Sequence, residues 1–87
     1  MAKIIVYKAV PCGFCSAAIR YLQDRKGQKD LEIIDLTGRF QERRELAQRT
    51  GQRTVPQIFI NGTHVGGYDD LRAKDARGEI DRLLAED

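Results

Sequence analysis

The sequence predicts an α/β domain built on a four-stranded mixed sheet flanked by helices, and three observations carry that prediction. A continuous apolar run, Ile4 to Tyr7, precedes a helix-spaced apolar set and then a second apolar run, LEIIDL at 31–36, which is the pattern of a β-α-β unit. QIFI and THV flank Asn61-Gly62, and Asn-Gly between apolar runs is a strong hairpin signal because both turn residues must accept positive φ. The intervening and terminal stretches read as charged helices. The predicted order is β-α-β-α-β-β-α.

Each element has a local reason. Ile4, Ile5, Val6 and Tyr7 lack polar alternation, as expected of a strand covered on both faces of a partly parallel sheet. Ala17, Ala18, Tyr21 and Leu22 recur at helical spacing, with Gly27 as a stop. A charged amphipathic helix runs from about Arg39 to Thr50, and Gly51 is placed to end it. The first β-α-β is expected to be a right-handed parallel crossover. The closing stretch DDLRAKDARGEIDRLLAED is helical, with a break near Gly78.

At 87 residues the chain is expected to form a single domain, spanning 1–87, with a modest core. Its composition, 41% hydrophobic and 32% charged, is that of a soluble globular protein rather than a disordered one. A net charge of +2 gives no argument for nucleic acid, and GRFQERRELAQR interleaves acids with bases, as a solvated helix face does. No stretch approaches the ~20 apolar residues of a membrane span, and the apolar run near the N-terminus is shorter than a signal h-region, with no small-residue cleavage site after it, so no signal peptide is expected. The expected location is the cytoplasm, where a C-x-x-C pair is more often catalytic or metal-binding than a structural staple.

Cys12 and Cys15, the only cysteines, carry the chemistry. Cys12 falls just before the first predicted helix and Cys15 one turn inside it. Free N–H groups and the partial positive charge of a helix N-terminus favour a thiolate, so the Cys12 pKa is expected below the ~8.5 of free cysteine. A second thiol three residues on shares the helix face and can resolve a mixed disulfide formed at the first. Cys15 is expected to be the more buried. Three other readings use the same pair. Zinc would need two more ligands, of which only His64 is in view. A structural disulfide would close a very short loop and stabilise little. Two incidental core thiols are the third. A C-x-x-C beside a β-α-β pattern is the signature of the thioredoxin-like fold, and it favours a redox centre.

The second half is more specific. In RTVPQIFINGTHVGGYDDL, residues 53–71, Val55-Pro56 opens a strand, and Gly66-Gly67 lets backbone approach a ligand. Asp69 or Asp70 can N-cap the last helix, whose start is a ready carboxylate site. A small anionic peptide lying along this edge fits the pattern; so does a ligand-free hairpin, turn and cap. Taken with C-x-x-C and DARGEID, the combination of T-V-P-Q-I-F-I and G-G-x-D-D-L resembles the glutaredoxin family, in its small bacterial dithiol class, nearly end to end.

That resemblance implies a glutathione-dependent oxidoreductase that reduces protein–glutathione mixed disulfides and protein disulfides through Cys12 and Cys15. It implies glutathione and glutathionylated or disulfide-bearing proteins as partners, a monomeric chain, and no membrane or nucleic-acid partner. It implies a cis Val55-Pro56 bond facing Cys12, and a Val55 backbone that pairs with the cysteinyl part of glutathione. The γ-glutamyl carboxylate would meet the N–H groups around Gly67, Tyr68 and Asp69, with Thr54, Pro56 and Asp70 nearby. Arg43, eleven residues before Thr54, matches a position that contacts the glycyl carboxylate, and Phe14 takes the place of an active-site tyrosine. Three departures stand out. The motif is C-G-F-C where the family commonly has C-P-Y-C; it echoes the C-G-F-S of cluster-holding monothiol members without their longer loop. Ala9 occupies the usual lysine position, with Lys8 one residue earlier as the candidate replacement. Tyr68 stands where relatives often carry a further cysteine. The rival reading is a dimer holding one [2Fe–2S] cluster through two Cys12 thiolates and two glutathiones.

Other residues are assigned no role in the site. His64 reads as a hairpin-surface residue, and Tyr7 and Tyr21 as core or core-edge residues. Arg39, Arg44, Arg49 and Arg53 read as solvent-facing, although Arg53 adjoins the groove. Asp35 is a candidate buried acid tuning Cys15, a role that nothing in the sequence requires.

Overall fold

The computed structural model describes residues 2–86. The elements follow the predicted order: β1 (Ile4–Lys8), α1 (Gly13–Arg20) continued by one π-helical turn (Tyr21–Arg25), β2 (Leu31–Asp35), α2 (Phe40–Thr50), β3 (Gln57–Ile60), β4 (Thr63–Gly66), α3 (Tyr68–Ala76) and α4 (Glu79–Ala85). The strands form one sheet in the order β2-β1-β3-β4. β1 runs parallel to β2, pairing Ile4 with Leu31 and Lys8 with Asp35, and antiparallel to β3, pairing Val6 with Ile58. β3 and β4 close the hairpin, where Asn61 (φ 50°) and Gly62 (φ 83°) supply the two positive φ values the turn requires.

Side-chain alternation decides which face is the core. Ile4 and Val6 of β1 and Ile58 and Ile60 of β3 point to one face. There they meet Ala18 and Leu22 of the first helix, Val65 of β4, Leu71 of α3 and Ile80 of α4. The intervening residues Ile5, Tyr7 and Phe59 are only half-buried, with the Tyr7 and Phe59 rings edge-to-face at 5.8 Å. The apolar run in β1 is therefore well covered on one face and partly on the other, which is less than its sequence implies. α2 buries Leu46 outside the main cluster and ends at Gly51, which takes the left-handed conformation (φ 79°).

The last helical stretch divides where the glycine stands: Gly78 at φ 78° separates α3 from α4. Its start differs from expectation. Neither Asp69 nor Asp70 is the N-cap of α3; Gly67 is, in extended conformation. Asp70 lies three residues inside and accepts the Gly67 N–H at 2.9 Å through its carboxylate. The preceding Gly66 sits at φ 113°, where an added Cβ would run into that same carboxylate. The glycine pair is what lets the chain turn from β4 into α3, and that turn displaces the cap onto Gly67.

Candidate active site

The central strand β1, between parallel β2 and antiparallel β3, brings the site together. The loop after β1 delivers Cys12 to the start of α1, and the loop before β3 comes up beside it. Cys12 is the N-cap residue of α1, with extended φ −158° and ψ 103°. Its Sγ accepts the backbone N–H of Cys15 at 3.0 Å, as an oxygen cap would. Cys12 and Cys15 are joined by a disulfide, with Cα atoms 5.3 Å apart. Cys15 is buried, 1% exposed, while Cys12 reaches partly into solvent, so the order of accessibility is the one expected. An N–H donor and a helix start aimed at Cys12 Sγ both favour the thiolate once the disulfide opens.

Across from the pair, the Val55 carbonyl oxygen lies 3.8 Å from Cys12 Sγ. The Val55-Pro56 bond is cis, as the resemblance implied, and so is Val10-Pro11. Phe14, Thr54, Val55, Pro56, Gly67, Tyr68, Asp69 and Asp70 line one open groove of 460 Å³ beside the disulfide. That volume lies within the ~300–1,000 Å³ typical of sites for small organic ligands. Phe14 is 63% exposed and its ring stands 6.3 Å from that of Tyr68, making one wall.

Two predicted residues lie apart from this groove. Arg43, in the first turn of α2, lines a neighbouring depression of 840 Å³ with Phe40, Arg44 and Arg53. The segment 51–54 borders both hollows, contributing Gly51 and Arg53 to one and Gln52 and Thr54 to the other. Lys8 ends β1, half-buried and opposite Asp35, and Ala9 beside it is buried. Arg53, read as solvent-facing, is part of the α2 depression.

Three residues escaped the sequence reading. Gln57 is the buried polar side chain of β3, 2% exposed; its Nε2 donates to the carbonyls of Gln52 (2.7 Å) and Thr54 (3.2 Å). Gln52 in turn donates through Nε2 to the Thr54 and Pro56 carbonyls, each at 3.1 Å. The pair braces the loop that carries Val55. A glutamine inside QIFI was the available signal, since a lone polar residue in an apolar strand needs partners. Thr37 is the third: its Oγ1 accepts the Val10 N–H at 2.8 Å and donates to Asp35 Oδ1 at 2.6 Å, tying the end of β2 to the loop before Cys12. Asp35 is exposed and bonded to Thr37, whose hydroxyl and N–H hold its carboxyl below the usual range. It is not a buried acid at Cys15. Among the described residues no group of three or more His, Cys, Asp or Glu is placed to hold a metal ion.

The glutaredoxin family model matches residues 4–65. The chain is 44% identical over 85 residues to a glutaredoxin of Pseudomonas aeruginosa, covering 98% of this chain and 99% of that one. It is 43% identical over 84 residues to glutaredoxin 3 of Escherichia coli K12, covering 97% and 99%. Among solved structures, a buckwheat glutaredoxin–glutathione complex superposes with a TM-score of 0.78 at 35% identity, over 95% of this chain and 76% of that one. A dithiolic glutaredoxin of Trypanosoma brucei brucei superposes with 0.82 at 37% identity, over 95% and 87%. The fold is thioredoxin-like, and with a family match over most of its length and relatives aligned nearly end to end, the chain belongs to the glutaredoxin family.

Proposed function

We propose that this thiol–disulfide oxidoreductase works with glutathione, reducing protein–glutathione mixed disulfides through Cys12 and protein disulfides through Cys12 and Cys15. The observation that carries the reading is the groove beside the Cys12–Cys15 disulfide, which ends at the N-terminus of α3. Glutathione has a thiol at its centre and a carboxylate at each end. Its sulfur would meet Cys12, its cysteinyl backbone Val55, and its γ-glutamyl carboxylate the N–H groups around Gly67, Tyr68 and Asp69. Thr54, Pro56 and Asp70 shape that end, and Phe14 walls the middle. Arg43 would reach the glycyl carboxylate only across the 51–54 segment, and Lys8 contributes charge from the end of β1. The buckwheat glutaredoxin–glutathione complex supports this ligand class.

The electron balance is simple. The Cys12 thiolate attacks the glutathionyl sulfur of a mixed disulfide, forming a Cys12–glutathione disulfide and releasing the protein thiolate. A second glutathione thiolate attacks the bound glutathionyl sulfur, freeing Cys12 and forming glutathione disulfide. With a protein disulfide, Cys12 forms the mixed disulfide, and the Cys15 thiolate attacks Cys12 Sγ and releases the reduced protein. Two glutathiones then reopen the Cys12–Cys15 bond. The protein contributes a favoured thiolate and a groove that selects one thiol, in a reducing compartment such as the cytoplasm, from a single-domain monomer.

Turnover of a glutathione mixed disulfide, coupled to glutathione reductase, tests this. Cys12→Ser is expected to abolish all activity. Cys15→Ser is expected to keep mixed-disulfide turnover and lose protein-disulfide reduction. Turnover by neither wild type nor Cys15→Ser would return the chain to the rival reading, the glutathione-ligated [2Fe–2S] dimer, whose colour after anaerobic reconstitution is a separate readout.

A further inference from the structure

Tyr68 faces two surfaces. One is the groove at Cys12; the other is Tyr21, whose ring meets that of Tyr68 edge-on with centroids 6.2 Å apart. A guanidinium rests over each of these rings. Arg25 lies 5.6 Å from the Tyr21 centroid and Arg72 5.5 Å from that of Tyr68. The row Arg25, Tyr21, Tyr68, Arg72 crosses the junction between the first helix and α3 and lines an open cleft of 550 Å³. Arg20 joins Tyr21, Arg25 and Tyr68 in the adjoining hollow, with Asp24 as its one carboxylate. Among the described residues none of these three arginines forms an ion pair. The one acid of the main cleft, Asp75, is already engaged by Lys26 Nζ at 2.7 Å and by the Tyr21 hydroxyl.

We propose that this cleft docks the protein half of a mixed disulfide and favours substrates with acidic residues beside the reactive cysteine. The inference rests on the mixed-disulfide reading above. In that reading glutathione fills the groove between the Val55 loop and the start of α3. The substrate chain leaving Cys12 Sγ must then cross the remaining rim, made by Phe14 and Tyr68, and beyond that rim lies the arginine cleft. A guanidinium stacked on an aromatic ring keeps its in-plane N–H donors for a carboxylate, and its stacking limits the rotamer entropy lost on binding. Acidic segments gain here, and basic ones are repelled.

Three substrates test the proposal: two equal-length peptides glutathionylated at one cysteine, flanked by Glu in one and Gln in the other, and the cysteine–glutathione disulfide. Wild type is compared with the double variant Arg25→Gln, Arg72→Gln. Wild type is expected to prefer the Glu peptide by about five-fold in kcat/KM at low salt, as two exposed charge pairs would give. The preference collapses toward unity at high salt. In the double variant the ratio falls to about one, while the Gln peptide and the cysteine–glutathione disulfide turn over as before, which also shows that the variant is folded. No Glu preference in wild type, or an undiminished one in the variant, overturns the docking site. A wild type inactive on all three substrates overturns the mixed-disulfide reading, and the docking site with it.

Discussion

Gln57 holds the loop opposite Cys12 in place from inside the core. Its amide donates to the Gln52 and Thr54 carbonyls on one side of Val55, and Val55 O faces Cys12 Sγ at 3.8 Å. Gln57→Met keeps the side chain's length but leaves buried carbonyls without donors, a loss of about 1–3 kcal/mol in urea unfolding. Because the brace acts on Val55, KM for glutathione is expected to rise several-fold with kcat little changed; a loss of stability with KM unmoved would make Gln57 purely structural. Its Oε1 accepts from His64 Nε2 at 3.2 Å, which fixes the neutral tautomer with the proton on Nε2. The His64 ring packs at 5.0 Å from Phe59, and burial pushes its pKa below the ordinary value. A folded value below the unfolded ~6.5 means this contribution is present above about pH 6.5 and lost as pH falls through the folded value. Unfolding free energy measured from pH 7 down to 5 is therefore expected to fall more steeply in wild type than in His64→Gln. Equal slopes would show that His64 is no more protonated in the unfolded chain.

At the scale of elements, the β3–β4 hairpin does more than reverse the chain. Asn61 takes positive φ, and its side chain also ties the turn to both ends of the fold: Oδ1 accepts the Lys3 N–H at 2.9 Å, and Nδ2 donates to the Leu83 carbonyl at 2.8 Å and the Glu86 carbonyl at 2.9 Å. Asn61→Gly preserves the turn and removes those bonds, so its cost, about 1–3 kcal/mol by denaturant unfolding, isolates the side chain's share. A glycine variant as stable as wild type would assign Asn61 to backbone geometry alone. The two halves of this residue also show what sequence could reveal. The turn was legible because positive φ is a local demand on residue type, and the same holds for Gly51 ending α2. The ties to Lys3 and Leu83 were not, because they depend on where distant segments pack. Thr37 and Val10 meet across 27 residues with no pattern to announce it. The groove was legible through motif resemblance; the glutamine brace beneath it, and the hollow into which Arg43 falls, required the folded chain. Asp70 was read as a possible cap because its type suits one, but the Gly66-Gly67 turn decides which residue stands at the helix start.

Across the whole molecule, one charged cluster joins the first helix to the last two. Lys26, just after the π-helical turn, pairs with Asp75 of α3 at 2.7 Å and Asp81 of α4 at 2.8 Å, and the Tyr21 hydroxyl donates to Asp75. The Lys26 and Asp75 side chains are only 13% and 15% exposed, so their partners replace much of the water each has lost. Hydrogen bonds to Asp75 raise the pKa of both Tyr21 and Lys26, Lys26 being raised further by its bond to Asp81. For Asp75, burial acts to raise the carboxyl, but the hydrogen bonds from Lys26 and Tyr21 outweigh it and hold the carboxyl below its ordinary range. The signs set two edges. Tyr21 and Lys26, raised in the folded state, contribute fully below their unfolded values near 10 and lose that contribution as pH climbs through the folded ones. Asp75, lowered, contributes above its unfolded value near 4 and loses it as pH drops through the folded one. The cluster is thus intact over the whole neutral range and dissolves at both extremes. Asp75→Asn leaves Lys26 with Asp81 alone, which is 69% exposed, and is expected to cost about 2 kcal/mol at pH 7, between the values for surface and buried pairs. The same substitution flattens the alkaline limb of the stability profile above pH 10, since Tyr21 and Lys26 lose the partner that raised them. Urea unfolding of wild type and Asp75→Asn at pH 7, 10 and 11 measures both. A gap between them that stays constant from pH 7 to 11 would mean the cluster fills space without coupling the helices electrostatically.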